Sequence, residues 1–365
     1  MARAGAVGPR TRIARRLIAV ALAGVAVVGI VVAVLVVLHR SPARRQAPHL
    51  LVGVADDSLK WTSNPVGVVR WQQVLGADAV RVWVPWHGES HPVGSRLDEL
   101  SRAEQAARQT RVVLAVSGFG RDTPVGAKAQ HRFCTYAFAV LARVPDARAV
   151  VVWNEANAPT YWHGTPAQYE ALLARCYDRL HRPGLTVLDS TASAHAPEAF
   201  LRAVGVAYRE SKRTRPLVDA FGHNPYPKAS TEAPSAVHPV GFVGEGDYGR
   251  LEAVLRVWFP GSHDVWYLED GYQSTVPRRL RPRYDGHENV AALGPELQAT
   301  RIAEAIRLAA CQPHVRAFFN FELVDETRLT GWQSGIVWRG VHRKPAAAAF
   351  AAAARQASAG CVKRP

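Results

Sequence analysis

Metal-ligand and phosphate-binding signatures are missing from this chain. It has no His-x-His and no His-Glu-x-x-His pattern, and its four cysteines (Cys134, Cys176, Cys311, Cys361) include no Cys-x-x-Cys pair. Zinc sites use such close spacings, so no metal site is expected. No glycine-rich turn follows the first predicted strand, which counts against a dinucleotide-binding, doubly wound sheet, and no cofactor is expected. Acidic residues are absent from the first 46 positions, which hold eight arginines. The formal net charge is +15, and setting those eight aside leaves +7 for the rest of the chain. That remainder forms no basic stripe with interleaved aromatics, so nucleic acid is not an expected partner.

What is present is a membrane-length apolar run and a long globular body. Residues 17–38 form an unbroken apolar stretch of 22 residues. As a helix it would extend about 33 Å, the depth of a bilayer core. Arg12, Arg15 and Arg16 precede it, and His39, Arg40, Arg44 and Arg45 follow. A cleaved signal peptide has a shorter apolar core of roughly 7–15 residues, and Ser41-Pro42-Ala43 is a poor cleavage site. The expectation is a basic cytoplasmic tail (1–16), a transmembrane anchor (17–38), a linker (39–48) and a folded domain (49–360) outside the cell membrane. The cysteines fit an oxidising compartment. Four cysteines allow three pairings. Cys134–Cys176, from neighbouring helices, and Cys311–Cys361, from helix and terminus, are the expected ones, with buried free thiols as the alternative.

From residue 49 short β-branched runs alternate with helical patterns. Strands are predicted at 50–56, 79–86, 111–118, 149–155, 185–193, 218–226, 265–270 and 317–323. Helices are predicted at 65–75, 97–109, 127–143, 166–181, 196–208, 247–258, 295–309 and 344–356. Strict alternation implies parallel strands with right-handed crossovers, and eight units over roughly 310 residues match a (β/α)₈ barrel. Such barrels carry their chemistry at the C-terminal ends of the strands. Strand four ends in Trp153-Asn154-Glu155, strand six in His223-Asn224-Pro225-Tyr226, and strand seven in Leu268-Glu269-Asp270.

Strands four and seven lie on opposing sides of an eight-stranded barrel, so Glu155 and Glu269 can face each other across its mouth. A lone strand-end Glu is more often a salt-bridge partner than a catalyst. Two at these positions fit the paired carboxyl groups of glycoside hydrolysis, one protonating the leaving oxygen and one attacking carbon or activating water.

VVWNEAN (151–157) resembles the W-N-E-P-type motif of the retaining clan A glycoside hydrolases, which include the cellulase-like family five and the xylosidase-like family thirty-nine. The resemblance implies Glu155 as acid/base and Glu269, in WYLEDGYQS (266–274), as nucleophile. It further implies that Asn154 contacts the sugar 2-hydroxyl and that Arg81, in AVRVWVP, sits beside the nucleophile. His223 and Tyr226, in GHNPYP, resemble the clan's strand-six pair: Tyr226 would bond the nucleophile, and His223 the sugar or Glu155. GIVWRGVHRKPAAAAF (335–350) resembles the clan's usual last turn and helix. The clan often ends strand eight with a Trp platform; here Phe319 or Phe321 takes that place, and Ala156 replaces the Pro after the acid/base. Trp86, Trp162 and Trp332 are further candidates for sugar platforms, although aromatics are more often core. Arg278, Arg279, Arg281 and Arg283, after strand seven, would suit an anionic glycan or a solvated loop. A glycan is the expected substrate. Transglycosylation, or a catalytically silent carbohydrate-binding envelope protein on the same barrel, are the alternatives.

Overall fold

A computed structural model describes residues 49–190 and 192–361. The apolar run at 17–38 lies outside them. Among the described residues no helix is long and apolar enough to cross a membrane.

The described residues form a (β/α)₈ barrel. Its strands are β1 (Leu51–Ala55), β2 (Ala79–Pro85), β3 (Arg111–Ser117), β4 (Ala149–Val152), β5, β6 (Phe221–Asn224), β7 (Val265–Asp270) and β8 (Val315–Phe321). Strand β5 comes in two pieces where one was expected: Thr186–Asp189 pairs with β4, and Ala192–Ser193 pairs with β6. The pairings are parallel. The ring closes where β8 pairs with β1 and where Leu188 bridges to Ala220.

Each strand is followed by its main helix: α1 (Pro65–Val74), α2 (Ser95–Ala107), α3 (Ala127–Arg143), α4 (Pro166–Leu180), α5 (Pro197–Glu210), α6 (Tyr248–Trp258), α7 (Pro295–Cys311) and α8 (Pro345–Ser358). Proline opens α1, α4, α5, α7 and α8. Its fixed φ suits the first helical turn, where a missing N–H costs nothing. At α4 a capping box completes the start, Thr165 and Gln168 each satisfying the other's backbone N–H.

Both faces of the strands are buried. The lumen is filled by one set of alternate residues, among them Ala79, Val113, Ala115, Ala149, Val151, Leu188, Ala220, Leu268 and Phe319. The other set, including Val80, Val82, Val112, Val150 and Tyr267, packs against the helices. Disulfides join Cys134 to Cys176, linking α3 to α4, and Cys311 to Cys361, linking α7 to the chain beyond α8. Both expected pairs are present, and such bonds belong to an oxidising, extracytoplasmic environment.

Candidate active site

Residues of a strand point alternately to its two faces, so a lumen-facing set also decides which strand-end side chains reach the mouth. On β2 that set is Ala79, Arg81 and Trp83. On β6 it is Ala220, Gly222 and Asn224. On β8 it is Ala317, Phe319 and Phe321.

Arg81 stands at the centre, 3 % exposed. Its Nη1 pairs with Glu269 Oε1 at 2.7 Å and its Nη2 donates to Asn154 Oδ1 at 2.9 Å. The Tyr226 hydroxyl donates to the other Glu269 oxygen at 3.1 Å. Asn224 Nδ2 donates to Glu155 Oε1 at 2.8 Å. Arg81, Asn154, Glu269 and Tyr226 therefore form one connected network, and Glu155 faces the same mouth.

The two carboxylates reach the mouth by breaks in the alternation. On β4, Ala149 and Val151 face the lumen, and strict alternation would send Trp153 inward too. Trp153 instead has φ +69° and packs outward against Trp86, Phe133 and Trp162. Glu155 follows with φ +39°. Left-handed backbone at non-glycine residues costs of order 1 kcal/mol and is concentrated at functional sites. On β7, Tyr267 lies opposite Phe318 and Asp270 opposite Asn320, so three steps on β7 span two on β8. This extra residue is a bulge, which re-aims a side chain. Leu268 faces the lumen, Glu269 the mouth, and Asp270 is buried on the outer face.

The environments of the two carboxyl groups differ. Burial, and then the nearby charge of Glu269, push the Glu155 carboxyl up to about 7, against the opposing pull of Asn224 and Arg81. Glu269 is held by a guanidinium and a phenol. The Tyr226 hydroxyl stays protonated, held well above its ordinary range by burial and by Glu269 and Glu155. An acid that still carries its proton near neutral pH, opposite a cation-paired carboxylate, is a couple equipped for proton donation on one side and attack on the other.

Three of the sequence expectations need correction: His223, Trp86 and Trp162. His223 is on the outer face of β6, 1 % exposed, with its Nε2 3.0 Å from the Val243 carbonyl and its ring beside Tyr267. Asn224 holds Glu155 in its place. Trp86 is 2 % exposed and wedged between Phe133 and Trp153, so it is core and no platform. Trp83 lines the mouth instead. Trp162 is also core, at 5 % exposure. Phe321 does reach the cleft, and with Trp332 it packs around Tyr226.

A cleft of about 940 Å³ opens from Glu269 and Arg81. Trp83, Phe119 and Tyr161 form one wall, the Phe119 and Tyr161 rings stacked 5.8 Å apart. No strand-end or motif position singles out Phe119 or Tyr161, because both come from loops. Arg278, Arg279, Arg281 and Arg283 do not line this cleft; its arginines are Arg81, Arg328 and Arg339.

Solved structures share this fold. A GH5_18 enzyme from Streptomyces cattleya, in complex with GlcNAc, superposes with a TM-score of 0.60 at 17% identity, over 85% of this chain and 81% of that one. A GH5_18 from Bifidobacterium longum subsp. infantis gives 0.58 at 16% identity, over 85% and 79%. A GH128 (subgroup I) endo-β-1,3-glucanase from Amycolatopsis mediterranei, in complex with laminaritriose and laminaribiose, gives 0.51 at 13% identity, over 84% and 99%. No protein-family model matches the chain, and no curated protein does. The chain thus shares the (β/α)₈ barrel fold of these GH5_18 and GH128 structures.

Proposed function

We propose that the protein is a retaining glycoside hydrolase, with Glu155 as acid/base and Glu269 as nucleophile. The observation that carries this reading is the asymmetry of the couple: Glu155 is raised to about 7, while Glu269 is clamped by Arg81 and Tyr226.

In the first step Glu155 gives its proton to the glycosidic oxygen as the bond from that oxygen to C1 breaks. A Glu269 oxygen bonds to C1, and the leaving sugar departs as an alcohol. Bond formation at Glu269 removes a negative charge beside Glu155, which lowers the pKa of Glu155 and prepares it as a base. In the second step Glu155 takes a proton from water, the water oxygen bonds to C1, and the Glu269 ester breaks. Arg81 fixes both Glu269 and the Asn154 amide, and with the Asn154 oxygen occupied its NH₂ is the group available to a sugar hydroxyl. The disulfides fit action outside the cytoplasm, and the apolar run at 17–38 is proposed as the membrane anchor.

The test is hydrolysis of a panel of 4-nitrophenyl glycosides by the wild type and by Glu155→Gln and Glu269→Gln. Each substitution should lower kcat/KM at least ~100-fold. NMR should show the first-formed sugar with its anomeric configuration retained. An inverted product, or full activity in either variant, would overturn the mechanism.

A further inference from the structure

The cleft is lined by Glu269 but not by Glu155. A proton donor stands on the side of the departing sugar, so the space beyond the nucleophile belongs to the sugar that is transferred. About 940 Å³ is generous for one pyranose of about twelve heavy atoms, since sites of roughly 300–1,000 Å³ hold drug-sized ligands. The cleft also does not end at the reacting centre. It continues past Asp57 to Trp61, on a short helix (Ser58–Trp61) just after β1.

Trp61 is 70 % exposed. A single exposed apolar side chain is ordinary, but this one sits on a clamped support. Asp56 Oδ1 accepts from Ser58 N at 2.7 Å, and Asp57 Oδ1 accepts from Trp83 N at 2.8 Å. Lys60, 4 % exposed, pairs with Asp57 at 2.8 Å and donates to the Trp83 carbonyl. Arg102 bonds the Lys60 carbonyl at 2.7 Å, and the Lys60 ammonium lies 5.5 Å from the centre of the Trp61 ring. Asp57 and Lys60 thus tie the segment carrying Trp61 to the strand carrying Trp83. The result is one rigid wall with an aromatic ring near the nucleophile and another at the rim. Hydrogen-bonding side chains, including Thr62, Glu326 and Arg328, line the same cleft. Flat apolar faces separated by polar groups suit a chain of sugars, whose rings show C–H faces and hydroxyl edges in turn.

We infer that Trp61 is the platform of a distal subsite, so that the substrate is a glycan chain with more than one sugar on the nucleophile side of the cleaved bond. This inference rests on the glycosidase reading above for the direction of the chain.

The test uses Glu155→Gln as the binding protein. Laminari-, cello-, manno- and chito-oligosaccharides of one to six units are titrated by calorimetry, and the wild type is assayed for hydrolysis of the same panel. In the preferred series, affinity should rise at least 10-fold between two and five units. Adding Trp61→Ala should reduce that length ratio at least 10-fold, and Trp61→Phe should recover part of it. Val74→Ala, a change at an exposed site on α1 outside the cleft lining, serves as the control and should leave the ratio as it is. Flat length dependence, a length ratio that survives Trp61→Ala, or no binding across the panel would overturn the inference. Length-dependent binding that needs Trp61, with no hydrolysis by the wild type, would sink the glycosidase reading and leave the subsite standing. Hydrolysis without length dependence would do the reverse.

Discussion

The bond from Asn224 to Glu155 makes a prediction that separates the observed site from the one expected of His223. Asn224 donates to Glu155 Oε1 at 2.8 Å, and this bond favours the charged carboxylate. Its removal should therefore raise the pKa of Glu155 above about 7. A hydrogen bond to a charged group is worth about 1.5–3 kcal/mol, which converts to about 1–2 pH units at 1.36 kcal/mol per unit. Water entering the vacated space would return part of this, so about one unit is expected. Asn224→Ala is a reasonable substitution because the Asn224 Oδ1 is already buried without a partner. The assay is the pH dependence of kcat/KM on a chromogenic glycoside, whose alkaline limb reports the free enzyme's acid. In Asn224→Ala that limb should move up by about one unit relative to wild type. His223→Ala should move it much less, since His223 faces the helices. An unmoved or lowered limb in Asn224→Ala, or a larger shift in His223→Ala, would refute the reasoning.

Other perturbations probe the rest of the molecule. Arg81→Lys keeps the charge but cannot bridge Glu269 and Asn154 together, so kcat should fall at least ~10-fold in steady-state assays, and wild-type turnover would count against the clamp. Burial, and then Asp56, Glu326, Asp325 and Asp57, push the Glu322 carboxyl up to about 10. Folded Glu322 thus keeps a proton that the unfolded chain releases above about 4.5, and its contribution to stability falls as pH rises from about 4.5 to about 10. Glu322→Gln removes that dependence, so its Tm relative to wild type should climb by at least ~2 °C between pH 5 and pH 9, and a constant difference would contradict this. Cys134 and Cys176 close a loop of 42 residues. Replacing both by Ser should cost about 4 kcal/mol, read as a Tm lowered by roughly 6 °C or more in calorimetry.

Much of this architecture is written locally. Proline at the head of five helices fixes where they begin, and the β-branched runs between them fix the order of units. From that order alone follow the barrel, the opposition of strands four and seven, and the helix neighbours that bring Cys134 to Cys176. The placement of Arg81, Tyr226, Glu155 and Glu269 around one mouth was legible for the same reason: each stands at or near the end of a recognisable strand.

What the chain did not disclose is the phase of each strand. A half-buried strand alternates apolar and polar residues, so its inward face can be read. A barrel strand is buried on both faces and reads as a continuous apolar run. The sequence therefore places Trp83 and Trp86, or His223 and Asn224, at the same strand ends without deciding which of each pair turns inward. Packing decides: the lumen takes Ala79 and Ala220, and by alternation Trp83 and Asn224 follow them. The left-handed turn at Trp153 and the bulge before Asp270 then re-aim the two carboxylates against that alternation. Phe119, Tyr161 and Trp61 join the site only through loops and a rim helix held by distant partners. Strand order was a property of the sequence, whereas the inward face of each strand was a property of the closed barrel.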